Sequence, residues 1–96
     1  MIALSDGTRQ RIAALFSADD VHEAERLLRE ECAGNVHFPI GTPEGLERVR
    51  FAALRTSRGE LARLRDALRL AQVDWRDLLV EAGFANDPTA HERWSP

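Results

Sequence analysis

Residues 57–84, SRGELARLRDALRLAQVDWRDLLVEAGF, constrain the fold most, because they carry start and stop signals for two consecutive helices. Ser57 and Glu60 have the spacing of a capping box, in which each side chain satisfies an orphan backbone N–H at a helix start. Asp74 is set to open the next helix, and Asp77 stands where a carboxylate favours the positive end of the helix dipole. Gly83 then stops that helix, since glycine enters the left-handed conformation without steric cost. Phe84 is placed to fold back onto Leu79 in a Schellman ending. Two helices meeting at so short a break commit the chain to helical packing, and the rest of the sequence is expected to pack around them.

A chain of 96 residues makes one domain, taken here as 1–96, and buries roughly 60–70% of its unfolded surface. That is enough for one core and too little for a deep cleft between two lobes. The net charge of −3 argues against a general polyanion binder, whose affinity comes mainly from basic side chains. All 13 basic residues are Arg, which reads as the codon bias of a GC-rich bacterial genome. One cysteine cannot form an internal disulfide. The opening MIALSDGTRQRIAALF lacks a basic stretch ahead of a continuous apolar run, and no run of ~18 apolar residues occurs, so a soluble cytoplasmic protein is expected.

Taken in order, a first helix is expected over about 8–17, capped by Ser5 or Asp6, with Ile12, Leu15 and Phe16 on one face. Asp20 and Glu23 repeat the capping-box spacing ahead of a second helix, roughly 21–33, whose Val21, Ala24, Leu27, Leu28 and Cys32 form one stripe before Gly34. Residues 34–42, GNVHFPIGT, lack helical periodicity and read as an extended connector. Thr42-Pro43 starts a third helix to about 56, burying Leu46, Val49, Ala53 and Leu54 with Phe51 round the side. A fourth, 58–73, buries Leu61, Leu64, Ala67, Leu68 and Ala71. A fifth, 75–82, buries Trp75, Leu78, Leu79 and Ala82, and Asp87-Pro88 caps a short sixth that ends at Trp94. The expected fold is all-α: a compact orthogonal bundle of five or six short helices with one extended connector at 34–42.

Charge is uneven. Residues 1–34 hold four Arg against seven acids, 35–72 seven against four, and 73–96 two against five, so the segments carry −3, +3 and −3. Such a layout can pair surfaces within one chain or head-to-tail between copies. Arg58, Arg65 and Arg69 fall on one face of the expected fourth helix, with Arg48, Arg50 and Arg55 nearby. This row is either a surface for phosphate or an acidic partner, or a solvated face paired with the acidic arms.

His22, Cys32, His37 and His91 match no metal or thiol motif, and Cys32 lies on an apolar stripe, which suggests an inert thiol. A Cys32–His37 dyad across Gly34 is conceivable but lacks an orienting group. Asp19-Asp20 and Glu30-Glu31 are explained by helix ends and by Arg26 and Arg29. Neither a catalytic residue, a cofactor nor a metal is expected. Leu70 and Val80 point away from the expected apolar stripes, and Trp94 stands two residues from the C-terminus. These three, with Arg58, Arg65 and Arg69, are the candidate interaction surface. The function expected is binding to another protein or to itself as a homodimer, with contact to nucleic acid through the Arg row as the alternative and no membrane partner.

Overall fold

The structure, a computed structural model, describes residues 4–32 and 43–96. The described chain is an all-α bundle of five helices: α1 (Asp6–Leu15), α2 (Ala18–Glu31), α3 (Pro43–Ser57), α4 (Leu61–Ala82) and α5 (Ala90–Arg93). The expected connector at 34–42, with His37, lies outside the described residues, so the Cys32–His37 pairing does too.

The helix at the centre is α3, not the 57–84 pair. Every residue from Val49 to Leu54 is buried, together with Leu46 and Ser57. Six consecutive buried residues cover the whole circumference of a helix, which only an element surrounded by others can sustain. It packs against α1, α4 and α5, while α2 lies against α1 and α4. Phe51, expected round the side, is 2% exposed for this reason. Arg50 is buried with it and donates from Nε to the Cys32 carbonyl at 3.0 Å, tying the end of α2 to the central helix.

Local chemistry sets the ends. Ser5 caps α1, accepting from the Thr8 N–H at 3.1 Å, and its hydroxyl also donates to Glu47 Oε1. The helix therefore begins two residues before the expected start. Helix α2 begins at Ala18 after Ser17, so Asp20 is not its cap. Asp19 and Asp20 instead lie in the first turn, where negative charge meets the positive end of the dipole.

The expected capping box at Ser57 does not form. Ser57 is the buried last residue of α3 and donates from Oγ to the Leu54 carbonyl at 2.6 Å. Arg58 and Gly59 turn the chain with φ of 51° and 78°, and α4 starts only after Glu60, whose side chain makes no capping bond. Gly59 is required here because an added Cβ would stand 2.4 Å from the Leu15 carbonyl oxygen.

The expected break at Asp74 is present. Its φ of −155° and ψ of 90° interrupt α4, and its carboxylate accepts from the N–H groups of Arg76 at 3.1 Å and Asp77 at 3.4 Å. The Schellman ending is present as well. Gly83 takes φ 79°, the Phe84 N–H reaches the Leu79 carbonyl at 2.9 Å, and the Phe84 ring is buried. Beyond it, Asp87 accepts from the Thr89 N–H at 2.9 Å and pairs with Arg93 at 2.5 Å, setting up α5. The core draws Ile12, Leu28, Leu54, Leu64, Leu78 and Phe84 from across the bundle.

Candidate functional site

Helix α4 has two flanks, and the candidate residues divide between them. On the α2 side, Arg65 and Arg69 line a groove with Arg26, Leu27, Glu31 and Gln72. Arg65 reaches Glu23 Oε2 at 3.3 Å, and Arg69 pairs with Asp66 at 3.1 Å. Glu23 is in turn clamped by Arg26 at 2.6 Å, whose hydrogen bond, more than any other contact, holds the carboxyl down to about 2.

Arg58 is not on α4 at all. It stands in the turn before the helix and lines a trough on the α3 side with Arg55, Arg63, Val80, Glu81 and Gly83. The expected single row is thus split, because the left-handed turn at Arg58-Gly59 throws the first arginine to the opposite flank. Of the neighbours counted with the row, Arg50 is buried against Cys32, and Arg48 donates to the Phe84 carbonyl at 2.6 Å. Arg55 stacks its guanidinium 5.3 Å from the Phe84 ring centre.

The trough continues along α4. A second hollow of about 320 Å³ shares Thr56, Arg63 and Glu81 with the 490 Å³ one beside Arg58, and Leu70 lines it. Leu70 is half-buried against the core. Val80 is 64% exposed on the ridge between this trough and a further hollow formed by Arg48, Trp75, Arg76, Leu79 and Ala85. Leu70 and Val80 therefore lie on one continuous surface with Arg58. Val73 is a further exposed apolar side chain of α4, at 85%, and sequence reasoning passed it over. Its signal was available: in the first half of α4 it lies opposite Leu64, Leu68 and Ala71.

Trp94 is elsewhere. It packs half-buried at the α5 end, with ring centres 6.3 Å from both Phe51 and Phe84, so it covers those rings and not Leu70 or Val80. Arg11 straps it in place, donating to the Trp94 carbonyl at 3.0 Å and the Glu92 carbonyl at 3.3 Å while lying over Phe51.

Two buried groups are chemically distinctive. Burial pushes the Cys32 thiol up to about 12, which keeps it protonated at neutral pH. His91 is 3% exposed between Phe51 and Phe84, and neither ring nitrogen has a hydrogen-bond partner among the described residues. Burial lowers its pKa, because loss of hydration disfavours the charged imidazolium. Among the described residues no group of three His, Cys, Asp or Glu side chains could hold a metal, and no helix is long and apolar enough to cross a membrane.

No family model matches the chain, and neither the curated proteins nor the solved structures contain a match to it.

Proposed function

We propose that this chain is a protein-binding domain without catalytic activity, and that its binding face is the α4 ridge at Val80 with the trough beside it. The observation that carries this reading is the exposure of Val80, at 64%, on a ridge between two concave surfaces. A single exposed aliphatic residue is common. Here Val80 borders two concave surfaces, with half-buried Leu70 and Trp75 in their walls, which is the relief a docked side chain needs. Arg55 and Arg58 at the rim, neither in an ion pair with a described residue, would add orientation and rate of association. The lone cysteine is consistent with a cytoplasmic setting.

A photo-reactive phenylalanine analogue at position 80 tests the reading, with the same group at exposed Ala14 on α1 as the control. Specific cross-linked protein, whether another chain or this one, is expected from position 80 alone. Equal yield from both positions would remove this face as the binding surface.

A further inference from the structure

We propose that α5 is a proton-released clasp: charging the His91 imidazole drives the ring out from between Phe51 and Phe84, so that α5 and Trp94 lift away and uncover those two rings while α1 to α4 stay folded. The clasp is independent of the binding face at Val80.

What holds the segment after Phe84 carries the argument. From Ala85 to Pro96, His91 is the one buried residue; Asp87, Ala90 and Trp94 are half-buried and the rest are exposed. The anchor of this segment is therefore a titratable side chain, at a position where leucine or phenylalanine would seat the helix at any pH. The imidazole centre lies 5.5 Å from that of Phe51 and 6.3 Å from that of Phe84, with the rings steeply inclined at 67° and 64°. Neither of its nitrogens has a hydrogen-bond partner among the described residues. An imidazolium has two N–H donors to satisfy, so charging the ring in place would bury a cation and two unmet donors at once.

The surrounding charges do not offset this. Arg11 on α1, Glu47 and Arg48 on α3, and Glu92 on α5 itself lie around the imidazole, and Phe84 brings no charge from the end of α4. The two carboxylates favour protonation and the two arginines oppose it, which leaves the loss of hydration to decide the outcome.

Release is also cheaper than unfolding. Helix α5 is four residues long and packs against α3. Its further ties are the exposed Arg93–Asp87 pair at 2.5 Å and the bonds from Arg11 to the Trp94 and Glu92 carbonyls. An exposed ion pair contributes little, and segments with few buried contacts open at a fraction of the global free energy. Trp94 leans on the same two rings as His91, so the two side chains leave together. The Asp87–Arg93 pair is not the trigger, because the Thr89 N–H and Arg93 hold the Asp87 carboxyl down to about 2. Once released, His91 returns to water and titrates near 6.5. The ratio of released to seated molecules should thus rise by up to about tenfold per pH unit below 6.5, until the seated ring itself takes the proton.

The test is proton NMR of the whole chain between pH 7.5 and 4.5. At pH 7.5 the spectrum should show dipolar contacts from the His91 ring to Phe51 and Phe84, from Trp94 to Phe51, and between α3 and α4. On acidification the His91 and Trp94 contacts should vanish together, with a midpoint below 6.5, while those between α3 and α4 persist. His91→Phe should keep Trp94 seated throughout, with His91→Leu as the smaller replacement and far-UV circular dichroism to check that each variant folds. His91 contacts that survive protonation of the ring, or a spectrum unchanged down to pH 4.5, would overturn the inference. So would loss of the α3–α4 contacts at the same midpoint, or release that persists in the folded variants.

Discussion

Gly59→Ala should be among the more damaging single substitutions at a glycine in this chain, and Gly83→Ala supplies its internal control. The two glycines share almost the same backbone, at φ 78° and 79°. An alanine there costs about 1–2 kcal/mol for adopting the left-handed region, whatever surrounds it. At Gly83 that is the whole cost, because the nearest atom to the new Cβ is the flexible end of Arg55 at 4.0 Å. At Gly59 the new Cβ lands 2.4 Å from the Leu15 carbonyl oxygen, a backbone atom at the end of α1. Relieving the overlap moves α1 by about 1 Å from the α3–α4 turn, and overpacking of this kind adds about 1–3 kcal/mol. Gly59→Ala is therefore expected to lose about 2–5 kcal/mol and Gly83→Ala about 1–2 kcal/mol. In a domain of this length each kcal/mol lowers the melting temperature by about 4–8 °C. Thermal unfolding followed at 222 nm, with denaturant titration for the free energies, measures both. Equal losses at the two positions would refute the close approach of the turn to Leu15.

Two further outcomes follow from buried groups. The folded state depresses the His91 pKa below its ordinary 6.5, so the unfolded chain takes up the proton first. Stability should then be full above pH 6.5 and fall as the pH drops toward the folded value. His91→Phe, which keeps a ring between Phe51 and Phe84, should flatten that fall, and an unchanged slope between pH 7.5 and 5 would count against the unpartnered imidazole. Cys32 should react with an aromatic disulfide reagent at least about a hundredfold more slowly in the native protein than in denaturant, because burial holds its thiol near 12. Fast native reaction would show that the end of α2 opens.

How much was legible in the sequence depends on how local the signal was. Asp74 and the Gly83-Phe84 ending could be read directly, since each signal is complete within a few residues and tolerates few alternatives. Ser57 misled because a serine near a chain reversal can serve either side. Its hydroxyl bonds back to Leu54 at the end of α3, and the S-x-x-E spacing is met without its geometry. That one misplacement also explains the Arg row: with Arg58 and Gly59 in a left-handed turn, helical spacing no longer relates Arg58 to Arg65 and Arg69. The central place of α3 was hidden by Arg50, which periodicity treats as a solvent-facing residue, although its guanidinium is consumed by contacts such as that with the Cys32 carbonyl. At the candidate surface, Val80 could be read from helix phase. The trough joining Val80 to Leu70 could not, because it is made by two helices at once.

The placement of the two indoles has a spectroscopic consequence. The chain has two tryptophans and no tyrosine, so its near-ultraviolet emission comes from two sites alone. Trp94 is packed against Phe51 and Phe84 under the Arg11 strap, while Trp75 lines the hollow beside Val80 with Arg76 5.3 Å from its ring centre. Trp75→Phe leaves an emitter that responds to the seating of α5, and Trp94→Phe leaves one that responds to whatever settles on the ridge. Two single-tryptophan variants thus separate, in steady-state emission, unfastening of the chain's last turn from occupation of its exposed face.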